Sequence, residues 1–173
     1  MQTNSHACPP LEGITDTNTR RTTAIVALLA TAFAVDIALK VFARVQPETV
    51  GRFSFLTPVG TIGLAPSVND VLAFSLPVPN AWIWPVGWIV VLVLIRALGR
   101  ISDFRFQISD SRAVAIAAIV LGAISNLTDR TFLGGVTDYL SFTNLFPAFN
   151  IADVLILGGI IAWMMSERRR TAA

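Results

Sequence analysis

The chain has 173 residues, of which 54% are hydrophobic and only 14% charged, with a mean hydropathy of +0.66 and a formal net charge of +2. Such a balance is too apolar for an ordinary water-soluble domain; it suits one membrane domain of a few spans and leaves no room for a second globular unit. A lone cysteine, Cys8, and a lone histidine, His6, both in a polar N-terminal segment, offer no disulfide framework, no cysteine metal site and no convenient His-based zinc or triad chemistry.

Residues 1–21 read as a polar, unstructured tail ending in Arg20 and Arg21. Cys8 has no apolar run before it, which argues against this chain being a lipoprotein itself. A first span follows at about 23–43, close to the ~20 residues that a bilayer core requires. Ala32-Phe33-Ala34 resembles a small-x-small cleavage site, the mark of a removable signal peptide. Apolar residues continue through Ile37, Leu39, Val41 and Phe42, as they do in a retained span.

From Gln46 to Asn80, Phe53, Phe55, Thr57 and Thr61 stand among glycines and prolines, which predicts short strands and turns outside the membrane. A second span is expected at about 81–98, with Pro85 tolerated near its first turn and Arg96 able to snorkel to the interface. Arg100, Asp103, Arg105, Asp110 and Arg112 make a charged loop. The third and fourth spans, about 113–127 and 151–165, are short, so polar residues enter the membrane at one end of each. Those residues are Asn126, Asp129 and Arg130 on the third span and Asn150 and Asp153 on the fourth.

Arginine supplies nearly all the basic charge, and it clusters beside apolar runs instead of forming the aromatic-laced stripe of a nucleic-acid binder. With four spans, Arg20, Arg21, Arg96, Arg100, Arg105, Arg112, Arg168, Arg169 and Arg170 fall on one side. The positive-inside rule makes that side cytoplasmic and puts both termini there. The organisation expected is therefore a tail over 1–21, a four-span domain over 22–166 and a basic tail over 167–173, with the strand-like segment and the loop from Asp129 to Asn150 facing outward.

Charge at membrane depth costs ~2.5–3.5 kcal/mol on insertion scales, so each ionisable residue needs a partner or a task. Asp36 and Lys40, four apart, share one helix face and read either as a neutralising pair or as part of a site. Asp129 and Arg130 read as a solvated helix end, and Asn150 with Asp153 as a capping box. Asp138 and Asp153 are two carboxylates at the same membrane face, and with no usable His, Cys or metal cluster they are the only evident hydrolytic machinery. A transporter with Asp36, Lys40 and Asp153 along its pathway is the alternative from another class, although the sequence has no internal repeat.

Three blocks in order, Asn126-Leu127-Thr128-Asp129-Arg130, Val136-Thr137-Asp138-Tyr139 and Phe146-Pro147-Ala148-Phe149-Asn150-Ile151-Ala152-Asp153, resemble the signature blocks of bacterial lipoprotein signal peptidases. Asp36 with Lys40, and Asn69 followed by Ala73-Phe74-Ser75, resemble that family's first-span acid and lysine and its outward Asn and Ala-Phe-Ser block. The chain departs from the family pattern at Ile37, Val71, Ser125 and Tyr139, where Gln, Gly, Gly and Phe are usual.

The resemblance implies an integral membrane protein of four transmembrane helices with a small extracytoplasmic β-cradle, working as an aspartic endopeptidase. Asp138 and Asp153 would be its catalytic pair. Asn126, Arg130, Asn150, Asn69, Asp36 and Lys40 would order the site or lie near substrate, and Asp129 would support the fold. The implied substrate is a prolipoprotein cut before its diacylglyceryl-modified cysteine, in the bacterial cytoplasmic membrane. Membrane lipid is the other expected partner; no cofactor, metal or nucleic acid is implied, and a monomer is expected. A catalytically silent relative that binds lipidated peptides is a further alternative.

Overall fold

A computed structural model of the chain describes residues 12–47, 54–57, 60–70, 80–102, 111–142 and 147–171. His6, Cys8, the Ala73-Phe74-Ser75 block, the loop residues Asp103, Arg105 and Asp110, and Phe146 lie outside the described residues. Among the described residues there are four helices, α1 Glu12–Val45, α2 Asn80–Ser102, α3 Ser111–Leu133 and α4 Ile151–Thr171. They are joined by one antiparallel sheet, β1 Ser54–Thr57, β2 Gly60–Asn69 and β3 Val136–Phe142, in the order β1-β2-β3.

Among the described residues three stretches, Thr23–Val45, Ala81–Gly99 and Ser111–Leu133, are long and apolar enough to cross a membrane. α4 is 21 residues long, with Asp153 in its first turn and Glu167 and three arginines near its end, which shortens its apolar stretch. The burial pattern is the reverse of a soluble protein's. Leu28, Leu92 and Leu157 are exposed, whereas Asp36, Lys40, Ser125 and Asn150 are fully buried. Hydrocarbon can cover the former at no cost, while the latter must find their partners inside the protein.

Two boundaries differ from the expectation. α1 starts at Glu12, so residues 12–21 are helical where an unstructured tail was expected. Once the apolar stretch has nucleated a helix, each added residue gains a hydrogen bond at low cost, and the polar segment is carried along. α3 does not end near residue 127 but continues through Asn126, Asp129 and Arg130 to Leu133. Thr128 and Thr131 direct their hydroxyls back to the carbonyls of Ile124 and Leu127, both at 2.7 Å, so these polar side chains are absorbed by the helix itself. Gly134, at φ 77°, then ends it, donating its N–H to Arg130 O at 3.2 Å.

α3 is the central element. α2 packs on it through Val91, Ile116, Val120 and Leu127. α4 lies against it so closely that a Cβ at Gly122 would strike the carbonyl of Ala152 and the Ile156 side chain. In the sheet, β1 and β2 form a hairpin with Thr57 opposite Gly60. β2 pairs with β3 from Ile62↔Phe142 to Asn69↔Val136, with a register shift between Leu64 and Ser67. Pro66 sits in that shift, where the missing proline N–H costs no ladder bond. Directly after it Ser67 pairs with Asp138. On the far side of β3, Leu140 and Phe149 exchange both backbone bonds at 2.8 Å, which brings the segment before α4 onto the sheet.

Candidate active site

The start of α4 is where the strands, α1 and α3 converge. Asn150 is its N-cap: Asn150 Oδ1 accepts the Asp153 N–H at 2.9 Å, and Asp153 Oδ2 accepts the Asn150 N–H at 3.2 Å. This is the reciprocal capping box expected from the spacing. With its oxygen so engaged, the Asn150 amide must turn its nitrogen the other way, and it donates to Asp138 Oδ1 at 2.7 Å and to Thr137 O at 3.4 Å. One fully buried side chain thus touches both acids.

Asp153 has a second donor. Asn126 Nδ2 reaches its Oδ1 at 2.8 Å, while Asn126 Oδ1 accepts from Lys40 Nζ at 2.7 Å. Lysine can only donate, so Lys40 fixes which way the Asn126 amide faces. Asn69 hydrogen-bonds to Asp138 from the end of β2. Arg130, buried on α3, lies within electrostatic range of Asp138, Asp153 and Asp70.

Asp36 and Lys40 are more than a neutralising pair. Their charges are 3.3 Å apart. Asp36 also accepts from Tyr139 Oη at 2.8 Å, Ser125 Oγ at 2.5 Å and the Ala152 N–H at 3.1 Å. Lys40 donates to Ser125 as well as Asn126 and lies 3.5 Å from Asp129 Oδ2. Asp129, expected at a solvated helix end, is instead buried. It pairs with Arg44 at 3.2 Å and accepts the Thr137 N–H at 3.0 Å, which ties α1, α3 and the start of β3 together. Position 44 follows Asp36 and Lys40 at four-residue spacing, a signal by which Arg44 was findable. Ser125 and Tyr139 carried no such local signal.

The electrostatics of Asp138 follow from its surroundings. Burial first, and then the charge of Asp153, push its carboxyl up to about 6, against the pull of the Asn150 and Asn69 donors and the Lys40 charge. Burial raises the Tyr139 phenol above its ordinary value, so it stays neutral and keeps its proton for donation. Two nearby carboxyls, one inclined to hold a proton near neutrality, can activate a water and polarise a carbonyl. Among the described residues no three His, Cys, Asp or Glu side chains come together as a metal site requires.

Comparison with known proteins finds a family match and a shared fold. Residues 28–168 match the family described as signal peptidase (SPase) II. A lipoprotein signal peptidase of Mycobacterium avium (strain 104) is 33% identical over 152 residues, 82% of this chain and 77% of that one. One from Geobacter metallireducens is 30% identical over 151 residues, covering 82% and 86%. The match to one from Microcystis aeruginosa is 38% over 102 residues, spanning 63% of that protein's length. A solved bacterial membrane enzyme, determined by the in meso method at 2.3 Å resolution, shares the fold with a TM-score of 0.68 at 20% identity, over 86% of this chain and 90% of that one. With a match running from the first helix to the last and a relative one-third identical over most of both chains, the chain belongs to the signal peptidase II family.

Proposed function

We propose that this protein is a membrane aspartic endopeptidase that removes signal peptides from prolipoproteins, cutting before the diacylglyceryl-modified cysteine with Asp138 and Asp153. The observation that carries this reading is Asn150, which donates to both carboxylates from one buried position. Family membership disfavours the transporter alternative.

In the reaction, one carboxylate takes a proton from water as its oxygen adds to the scissile carbonyl carbon, while the other, protonated, hydrogen-bonds the carbonyl oxygen. Collapse of the tetrahedral adduct breaks the C–N bond, and a proton passes to the leaving nitrogen, which becomes the amino group of the lipidated cysteine. Both carboxyls are needed in opposite protonation states, and their titration belongs to the pair. Asn126, held by Lys40, and Asn150 aim the carboxylates, with Arg130 and Asn69 beside them.

α4 serves as the fourth span, residues 22–166 form the peptidase domain, and both termini are cytoplasmic. Supporting this orientation, Arg112 pairs with Glu167 at 2.5 Å at the end of the α3–α4 pair remote from the acids, among the arginines of the positive side. The acids then lie at the outer face, the sheet forms the extracytoplasmic cradle, and the lipid anchor of a prolipoprotein can stay in the bilayer beside a monomeric enzyme. The test is to incubate purified protein with a diacylglyceryl-modified prolipoprotein and follow release of the signal peptide. Cleavage by wild type and none by Asp138→Asn or Asp153→Asn is expected; turnover by either variant would remove that acid from the chemistry.

A further inference from the structure

A helix begins with amides that have no partner within the helix. In α4 three of them find side-chain acceptors, one on β3, one on α1 and one on the helix's own cap. The Ile151 N–H donates to Tyr139 Oη at 3.1 Å, the Ala152 N–H to Asp36 Oδ1 at 3.1 Å and the Asp153 N–H to Asn150 Oδ1 at 2.9 Å. Tyr139 donates its own O–H to Asp36 Oδ1 at 2.8 Å. On the other carboxylate oxygen, Ser125 donates at 2.5 Å while accepting from Lys40 Nζ at 2.9 Å. A hydroxyl has one proton, so the direction of both bonds is settled: Tyr139 and Ser125 spend theirs on Asp36. All three side chains are buried within the protein, and hydrolysis itself makes no use of the two hydroxyls.

We propose that Ser125 and Tyr139 are positioning residues of the peptidase, acting through Asp36 to hold the first turn of α4 and thereby the aim of the Asp153 carboxylate at Asp138. The proposal rests on the catalytic pair assigned above. Asp36 stands at the positive end of the α4 dipole, where a carboxylate is favourable, and with two hydroxyls, an amide and an ammonium around it, it has one available orientation. Remove the tyrosine hydroxyl and the Ile151 N–H loses its acceptor, while Asp36 Oδ1 retains only the Ala152 amide. Asn150 still caps Asp153, so the acid is misaimed and not lost. Misaim of a reacting group lowers turnover more than it lowers substrate binding.

The test uses the full chain purified in detergent, with a diacylglyceryl-modified prolipoprotein as substrate. Tyr139→Phe and Ser125→Ala should each lower kcat about tenfold with KM held within about twofold, and the two losses should not multiply in the double variant, because both act through one carboxylate. Adding Tyr139→Phe to Asp36→Asn should cost less than about twofold further. If Asp36→Asn does not fold, the Tyr139–Ser125 cycle reads the same coupling. Unchanged kcat in both single variants, losses that multiply independently, or a loss confined to melting temperature would overturn the proposal. Asp138→Asn and Asp153→Asn run alongside. If they are inactive while both hydroxyl variants are fully active, the positioning role alone fails; if either turns over substrate, the catalytic pair fails.

Discussion

Asn150 donates its side-chain amide to Asp138 at 2.7 Å while its backbone N–H reaches Asp153 at 3.2 Å, so the residue that caps α4 is also the bond between the two acids. The two roles are separable because they use different atoms. Serine is as good an N-cap as asparagine but is too short to hand a proton to Asp138. Asn150→Ser should therefore stay within about 1 kcal/mol of wild-type stability and lose activity on the order of 10–100-fold. Asn150→Ala should lose both, at a cap cost of about 1–2 kcal/mol. Unfolding in detergent and cleavage rate, measured on the same preparations, check the split. If Asn150→Ser cleaves at the wild-type rate, the amide to Asp138 has no catalytic weight.

Asp138 carries a pH signature. Its carboxyl is pushed up to about 6 from the usual 3.8, by burial first and the Asp153 charge second. The folded protein thus keeps a proton that the unfolded chain releases across this window. The stability contributed is complete below about pH 4 and is lost as the pH rises through about 6. Asp138→Asn abolishes this dependence, so between pH 4 and pH 7 the variant should gain on wild type by roughly 2 kcal/mol, taking ~1.4 kcal/mol per unit. Unfolding at the two pH values measures it; parallel behaviour of the two proteins would mean that the carboxyl is not held as described. Asp153→Asn should bring the Asp138 midpoint down but not to 3.8, since burial remains, and carbon NMR of labelled aspartate reads that midpoint directly.

Much of this site could be read before the structure, for physical reasons that vary by residue. Asp36 and Lys40 stand on one face by helical spacing, and Asn150 with Asp153 by the geometry of a helix start; both are local rules, and both hold. Asp138 has no local rule; its candidacy came from a second acid, Asp153, at the same membrane face and, more, from resemblance to the family. The end of α3 was misplaced because composition reports on lipid, whereas Asp129 is buried in protein, paired with Arg44 and bonded by the Thr137 amide. The hydroxyls of Ser125 and Tyr139 meet Asp36 across 89 and 103 residues. No periodicity encodes such meetings; they depend on how α1, α3 and β3 pack.

Asp129 joins three elements but touches neither acid, so its loss should act on folding. Asp129→Asn leaves Arg44 and Lys40 with less charge opposite them and offers the Thr137 N–H a weaker acceptor. Removing one partner of a buried ion pair costs about 3–5 kcal/mol. The folded yield should fall sharply, while the folded fraction cleaves at close to the wild-type kcat. An abundant, well-folded and inactive variant would give Asp129 a direct role in the chemistry.

The contact between α3 and α4 offers a control on distance from the acids. Without a hydrophobic driving force between helices in lipid, close packing through small residues carries more of the association. A Cβ at Gly122 would meet the Ala152 carbonyl and the Ile156 side chain; one at Gly159 would meet the Ala115 carbonyl at 2.7 Å and Ile119. Both alanine variants overfill the seam, which costs about 1–3 kcal/mol. Only Gly122, however, presses on the residue whose amide is held by Asp36 and whose neighbour is Asp153. Gly122→Ala should therefore lower kcat as well as stability, whereas Gly159→Ala should lower stability alone. Gly158, with nothing within 4 Å, completes the set: its alanine variant should be neutral or more stable by about 0.5–1 kcal/mol. Equal kcat losses at Gly122 and Gly159 would mean that seam packing acts on the site globally and not through the first turn of α4.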